Sequence, residues 1–471
     1  MWGSKGRGPG ARACASAVAL LAGVGLLGGA GPASAATLQW ALVQAYQNNP
    51  QLNAQRAVVR ATDESVPQAL SGYRPRLSVT ASAGEQFTRT TSLSNNREST
   101  TSGDFTPYSV GATASQTLFN GFQTANKTRV AEGQVSAARE ALRVLEQTIL
   151  LNAATVYMDM LRDSAIVEVQ RSNVRVLNET LRQTRDRFNV GEVTRTDVAQ
   201  SEAQLAAGEF QLLNAESNLT TTRSNFRRII GVEPSSLSPG APVDRFAPPT
   251  LAAAITLGLD RNPNVTAAMY GIDVANLQIK INEGALYPTV TLTGTAQKTW
   301  NSSLTQLEQT TYSAIGSLTM PIYQGGGEYS LIRQSKETLT QQRLNLEQVR
   351  DQTRQAVAQA WGQVQATKAQ IESAQAQVNS SEIALNGVRE EARVGQRTTL
   401  DVLNAQQALV NARVTLVTAQ RDRVVASYSL LNALGVLSPL TLGLPTPVYD
   451  PRVHYHQVRD SWAGVRTPDG K

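Results

Sequence analysis

Cysteine and histidine are almost missing from this chain of 471 residues, which holds one cysteine, Cys14, and two histidines, His454 and His456. A single thiol excludes a disulfide framework and a cysteine-ligated metal centre. Two histidines near the C-terminal end exclude a multi-histidine metal site and most histidine-dependent catalysis. No catalytic residue, cofactor site or metal ligand set is therefore expected, and an enzyme is the least favoured class. Aromatics are 5% and charged residues 17% of the chain, thin for a compact soluble enzyme. No basic run carries interleaved aromatics, so nucleic acid is not an expected partner. Proline is absent from Phe122 to Asn189, which leaves room for a very long helix.

What is present begins with an export signal. Lys5, Arg7 and Arg12 form a basic start, an apolar stretch follows from about Ala13 to Leu27, and Ala33-Ser34-Ala35 has the small-x-small form of a cleavage site. Residues 1–35 read as a secretory signal peptide, too short and glycine-interrupted for a membrane anchor. The mature chain then has no cysteine and a balance of +3, from 40 basic and 37 acidic residues. Leu20-Leu21-Ala22-Gly23 resembles a lipoprotein box, but Val24 stands where the lipidated cysteine would be, so no lipid anchor is expected.

The mature sequence repeats itself once. Asn49-Pro50 recurs as Asn262-Pro263, and Pro75 as Pro288, at an offset of 213. Leu118-Phe119-Asn120-Gly121 answers Ile322-Tyr323-Gln324-Gly325, Val190-Gly191 answers Val394-Gly395, and Asp197-Val198 answers Asp401-Val402, all at 204. The nine-residue change falls between Pro75 and Leu118, where a loop absorbs it. The expected organisation is a first repeat over 36–231, a proline-rich linker over 232–250 wrapped around a rod's waist, a second repeat over 251–437, and a disordered C-terminal tail over 438–471 carrying both histidines.

Each repeat reads as helix, β-hairpin, long helix, short helix. The first opens with a helix over 38–72, followed by a hairpin over 76–119, a long helix over 122–190 and a short one over 194–231. The second hairpin, long helix and short helix span 289–323, 328–394 and 398–435. Leu77 to Ala83 and Tyr108 to Ser115 alternate apolar and small polar residues, as do Thr289 to Thr293 and the return through Tyr312 and Met320. The strands have bilayer-crossing length, which an ordinary soluble hairpin shares. Thr88 to Thr106 reads as a polar loop. The helices tip the balance. Val135, Leu142, Ile149 and Val156 recur every seven residues, as do Met160, Val167, Val174, Leu181 and Phe188, and then Val357, Val364, Ile371, Val378 and Leu385. Sustained heptads mean left-handed coiled-coil packing. The two short helical stretches of a repeat, stacked end to end, equal the length of the long one and would lie antiparallel beside it.

Four strands cannot close a membrane barrel, and open edges in lipid leave backbone groups unsatisfied. Several chains would have to share one barrel, and three would supply twelve strands. The duplicated order of elements, the strand exits Phe119-Asn120-Gly121 and Tyr323-Gln324-Gly325, and the turns Arg187-Phe188-Asn189-Val190-Gly191 with Asp197-Val198 and Arg393-Val394-Gly395 with Asp401-Val402-Leu403 are similar to those of the TolC family of outer-membrane efflux and secretion ducts. The resemblance covers about residues 36–437. It implies a mostly α protein with membrane β, in which a homotrimer builds a 12-stranded barrel on an α-helical tunnel. It places the chain in outer-membrane lipid of a Gram-negative cell, extending into the periplasm. A periplasmic membrane-fusion (adaptor) protein and an inner-membrane pump or ABC exporter are the implied partners.

The same resemblance makes the helix turns the periplasmic end. Val190, Gly191, Val394 and Gly395 would be adaptor-docking turns. Asp401, with Asn404 one turn on where the family commonly has a second acid, and Asp197 would form the channel constriction. Arg397 near Asp197 or Thr196 would form a lock holding the tip closed. Gly121 and Gly325 would be strand-to-helix swivels. The plainer reading of both aspartates is helix capping: Thr194 or Thr196, and Thr398 or Thr399, can cap, with the acid in the first turn. The alternative to a duct is a non-channel periplasmic coiled-coil structural or adaptor protein.

Overall fold

A computed structural model of the chain describes residues 36–234, 236–468 and 470, so the expected signal peptide lies outside the described residues. The first copy runs α1 (Leu38–Asn48), α2 (Pro50–Asp63), α3 (Ser65–Leu70), β1 (Arg76–Ala83), β2 (Gln86–Ser94), β3 (Arg97–Phe105), β4 (Tyr108–Asn120), α4 (Gln123–Asn189) and α5 (Arg195–Ile230). The second runs α6 (Leu251–Arg261), α7 (Pro263–Gly284), β5 (Thr289–Ser303), β6 (Gln306–Thr319), α8 (Gly327–Arg393) and α9 (Thr399–Ala433), followed by α10 (Pro439–Leu442) and α11 (Arg452–Val458). No helix among the described residues is long and apolar enough to cross a membrane.

The single helix predicted over 38–72 is three helices. Pro50 has no N–H to return to a preceding turn, so it can only start a helix. Asn49 caps that start, its Oδ1 accepting the Gln51 and Leu52 N–H groups at 2.9 and 3.2 Å. Asn262-Pro263 repeats the device between α6 and α7, with Asn264 N–H on Asn262 Oδ1 at 2.9 Å. The same two amides also reach the short helices. Asn49 Nδ2 donates to Ile229 O at 3.2 Å, and Asn262 Nδ2 to Ala433 O at 3.0 Å. The Asn-Pro repeat is thus the joint that stacks α5 on α2, and α9 on α7, beside their long helices. At Gly435 a Cβ would stand 2.5 Å from the Asn262 Cα, so the second joint admits only glycine.

Helices α4 and α8 have 67 residues each, about 100 Å at 1.5 Å per residue. Val135, Leu142, Ile149, Val156, Val167 and Leu181 of α4 are buried, as are Val357, Val364, Val378 and Leu385 of α8. The heptads therefore mark the packed seam over most of the rods' length. Phe188, the last of its run, is exposed at the helix end. The densest core lies at the waist, where Tyr46, Leu150, Tyr157, Phe226, Leu430, Leu431 and Leu434 pack together. The linker docks there. Ala36 N–H donates to Ser236 O and Ser238 N–H to Ala36 O, at 2.8 and 3.1 Å. The Tyr157 hydroxyl lies 2.8 Å from Ala36 O and 2.6 Å from Ser238 O. Burial pushes this phenol up to about 12, so it keeps its proton and can donate.

Strands β1, β4, β5 and β6 form one antiparallel sheet in the order β1-β4-β5-β6. Two expectations are corrected here. The polar loop predicted over Thr88–Thr106 is a second hairpin, β2 paired with β3 across Asn95-Asn96, whose φ values of 51° and 60° make the two-residue turn that suits a hairpin's twist. Its alternation is hydroxyl on hydroxyl and so carries no hydropathy signal. The second main hairpin was expected to reach 323 but β6 stops at Thr319, because Pro321 cannot donate to the ladder.

The C-terminal tail is also corrected: over residues 438–468 it is ordered on the body, not disordered. Leu442 and Leu444 pack on the waist core, and α11 buries His454 beside Asp63, Nδ1 to Oδ2 3.1 Å. Asp63 is fully buried, with Arg139 3.7 Å away, and His454 supplies its hydrogen-bonding partner. A buried carboxylate left unpaired is costly, which gives the tail a reason to dock.

Candidate functional site

The two ends of the molecule carry the features on which function turns. At the sheet end, register sorts the side chains by chemistry. Leu77, Ala114, Gly294 and Ala314 form one cross-strand row, and Val79, Ala112, Ala296 and Tyr312 another. The alternate rows read Ser78, Thr113, Thr295, Ser313 and Ser82, Ser109, Thr299, Gln309. One face is apolar and the other is lined with hydroxyls, which bond across strands at Ser82–Ser109 (2.9 Å) and Thr291–Ser317 (2.6 Å). Leu77, Val79, Tyr312 and Leu318 are exposed on the apolar face.

Aromatic residues bracket this face. Tyr73, Phe122, Tyr287 and Tyr323 stand exposed where strands meet helices. At the other end Tyr108 and Trp300 stack with ring centroids 5.0 Å apart. Thr289 to Trp300 covers about 36 Å along the strand, or roughly 27 Å across a membrane at a tilt of about 40°, close to the apolar band of a membrane barrel. The swivels lie at the lower girdle. Gly121 (φ +61°) and Phe122 (φ +62°) turn β4 into α4, and Gly325 (φ +69°) and Gly326 (φ +84°) turn the β6 exit into α8. Gly121 is also tight: a Cβ there would fall 2.2 Å from Gly284 O.

At the helix-turn end the two copies build the same turn. Gly191 and Gly395 take φ of +77° and +78°. Gly191 N–H returns to Phe188 O and Glu192 N–H to Arg187 O, at 3.0 and 2.9 Å. Gly395 and Gln396 do the same to Ala392 and Glu391, at 3.2 and 2.9 Å. This is the Schellman closure, which needs a left-handed residue after the helix. Val190 and Val394, 72% and 69% exposed, project from the apex. Of the alternative caps, the structure uses Thr194 and Thr398, each in a reciprocal capping box. Asp401 Oδ2 accepts the Thr398 N–H and hydroxyl at 3.0 and 2.9 Å, and Asp401 N–H returns to Thr398 Oγ1 at 3.2 Å. Asp197 does the same with Thr194. The Thr194 hydroxyl and N–H hold Asp197 below the usual carboxylate range; the Thr398 N–H and hydroxyl do so for Asp401. Both aspartates therefore stay charged at neutral pH. Thr196 is exposed on the first turn of α5, and Asn404 is exposed on the second turn of α9.

The lock expected between Arg397 and Asp197 or Thr196 is not formed within the chain. Arg397 Nε donates instead to Glu391 Oε2 at 2.8 Å, as Arg187 Nε does to Glu192 at 3.0 Å in the other turn. A basic–acidic pair across a six-residue turn is closer than any group on the neighbouring hairpin. Near this end the two hairpins also meet through side-chain amide contacts that periodicity could not reveal. Gln406 Nε2 donates to Asn173 Oδ1 at 3.2 Å while Gln406 Oε1 accepts from Arg389 at 3.0 Å, and Gln204 donates to Gln407 at 3.1 Å. Between the turns lies a cavity of about 460 Å³ whose lining includes Gln183 and Arg187 of α4, Arg393 of α8 and Val402 of α9.

A sheet with an apolar and a hydroxylated face between aromatic girdles, mounted on paired 67-residue rods, defines a membrane β-sheet protein carried on long helices. The chain belongs to the outer membrane efflux protein family, which it matches over residues 41–232 and 254–436, one stretch in each structural copy. It is 41% identical to the outer membrane efflux protein BepC of Brucella suis over 465 residues, 98% of this chain and 99% of that one. It is 26% identical to the outer membrane protein TolC of Escherichia coli, over 89% of this chain and 86% of that one. The fold is similar to the CmeC outer membrane channel of Campylobacter jejuni, with a TM-score of 0.75, 16% identity, and coverage of 90% and 89%. The protein is thus an outer-membrane efflux channel that extends into the periplasm, and the reading as a non-channel periplasmic coiled coil falls.

Proposed function

We propose that three copies of the chain close their sheets into one twelve-stranded barrel above a shared helical tunnel, forming a passive duct from periplasm to exterior. The observation that carries this reading is the sheet itself: β1 and β6 are its two outer edges. An unpaired edge in lipid leaves a row of N–H and C=O groups without partners, so each β1 must meet a β6 of another copy. The hydroxylated face then lines a wet lumen and the apolar face meets lipid. At the periplasmic end, threefold repetition of Asp401 makes an acidic ring at the mouth, with Asn404 just beyond it and Asp197 on the outer rim. The turns at Val190-Gly191 and Val394-Gly395 offer six similar, small-residue surfaces to the hairpin of a periplasmic adaptor. The energy for export comes from an inner-membrane pump or ABC exporter behind that adaptor, and the chain itself performs no chemistry.

Mass measurement in detergent tests the assembly, with three chains per particle expected. Paired cysteines on the outer strands, Thr80→Cys with Ser313→Cys, should add a ladder ending at three chains on a non-reducing gel. A monodisperse single chain would overturn the reading.

A further inference from the structure

The C-terminal segment follows a directed path. Its partners climb the first copy in order: Thr446 on Gln47 (2.9 Å), His454 on Asp63 (3.1 Å), and Ser461, whose carbonyl accepts from Arg74. Gln47 to Arg74 spans about 40 Å if helical throughout. The segment thus runs from the waist to the foot of β1. There the Arg74 guanidinium lies 4.6 Å over the Trp462 ring. Arg74 adjoins Tyr73 of the lower aromatic girdle and lies two residues before the first membrane strand. Trp462 is 72% exposed and Val465 fully exposed, with Arg459 and Arg466 beside them.

The segment packs along one side of α4. Along α4, Glu132, Arg139 and Glu146 share one heptad stripe and carry it: Tyr455 lies on Glu132 (3.4 Å), Arg139 over the Tyr455 ring (5.0 Å), and Tyr46, whose hydroxyl also accepts the Tyr449 N–H, on Glu146 (3.3 Å). A second heptad stripe, Lys127, Gln134, Ala141 and Thr148, roughly 140° away around the helix, is exposed. Lys127 shares a cavity with Ser115, Thr291 and Thr293 of the hydroxylated sheet face, and Arg74 and Arg76 also line it. The bare stripe is therefore continuous with the hydroxylated face, and the laden stripe faces another way around the helix.

We propose that residues 446–466 are a strap that ends in a membrane anchor, with Trp462 seated among the phospholipid headgroups of the periplasmic leaflet and Arg74 and Arg466 facing their phosphates, while Arg459 stays paired with Glu132. Tryptophan favours this depth, and basic side chains at the surface of an anionic leaflet add attraction. The strap fixes the depth of the girdle relative to the waist. The inference rests on reading the four-stranded sheet as the membrane part, and the experiment separates the two.

The mature chain has four tryptophans, Trp40, Trp300, Trp361 and Trp462. Phenylalanine at three of them leaves either Trp462 or Trp300 as the sole emitter. Each variant is reconstituted in phospholipid vesicles whose acyl chains are brominated near the glycerol. Emission of both should fall relative to unbrominated lipid. Quenching of Trp300 with Trp462 unchanged would overturn the anchor and leave the duct intact. If neither is quenched, the sheet is not in the bilayer and both readings fail. A second measurement does not depend on the triple variants. Val465→Cys and Leu318→Cys, each in the cysteine-free mature chain, carry a spin label. Lipid-soluble oxygen should relax both labels more than a water-soluble nickel chelate does. A label at 465 that meets only the chelate, while 318 meets oxygen, sinks the anchor.

Discussion

At the start of α9 the Asp401 carboxylate accepts two bonds from Thr398 and carries a full charge at the turn end of the rod. Asparagine at this position keeps an acceptor for the cap and removes the charge, so Asp401→Asn separates the two roles. We expect lower cation selectivity in single-channel recordings with normal assembly. The difference should shrink as salt shortens the screening length from about 10 Å at 0.1 M to about 3 Å at 1 M. Unchanged selectivity would leave Asp401 as a capping residue alone. The pH dependence follows from the lowered carboxyl. A carboxylate held below its unfolded value contributes its bonds above that value, about 3.9, and loses them as pH falls through the lower folded one. Cation selectivity and the cap should therefore persist to below about pH 4. The swivels offer a second contrast. Gly121→Ala and Gly325→Ala share the cost of a left-handed residue, about 1–2 kcal/mol. Only Gly121 also faces a carbonyl, whereas nothing lies within 4 Å of a Cβ at Gly325. Heat resistance of the assembled protein should drop much further for Gly121→Ala; equal losses would show that the close approach is relieved by a small shift.

Among the elements, the β2–β3 hairpin is the one that hydropathy concealed. Its strands read Gln-Phe-Thr-Arg-Thr-Thr-Ser-Leu-Ser and Arg-Glu-Ser-Thr-Thr-Ser-Gly-Asp-Phe, nearly all exposed, with Thr91 and Thr100 bonded across at 3.0 Å. The legible signal was local: Asn95-Asn96 is turn chemistry between two β-branched runs, even without an apolar face. This hairpin and the Ser303 turn lie beyond the Tyr108–Trp300 pair, on the side away from the helices. Cysteines at Ser94 and Ser303 should react with an impermeant thiol reagent on intact cells. Labelling only after the outer membrane is permeabilised would invert the orientation.

For the whole molecule, two copies of one unit present two copies of one turn, and the apex valines and glycines make each turn small. Nothing lies within 4 Å of a Cβ at Gly395, so a bulky side chain there projects outward without a clash inside the fold, at the cost of about 1–2 kcal/mol for a left-handed residue in an exposed turn. Gly395→Trp should abolish export while the protein still reaches the outer membrane at normal level and assembles, as judged by fractionation and crosslinking. Normal export in that variant would place adaptor contact elsewhere.

The sequence alone determined the duplication, the rods and the turns, because these rest on short-range rules: heptad spacing, an unbroken proline-free run, Val-Gly at a helix end and a threonine cap with an aspartate in the first turn of the next, though which threonine caps was settled by the fold. It also determined the two-faced strands, since period-two alternation survives in β1, β4, β5 and β6. Tertiary structure decided what depends on distant partners. Whether Arg397 met Glu391 or Asp197 was a matter of which carboxylate stood nearer. Asn49 and Asn262 read as landmarks, and only the fold made them clasps on Ile229 and Ala433. The tail looked like a disordered end because its pattern is irregular and proline-bearing. It is ordered because Asp63, 391 positions away from His454, is buried and needs a partner. A requirement of that kind belongs to no segment by itself and arises only when the chain is packed.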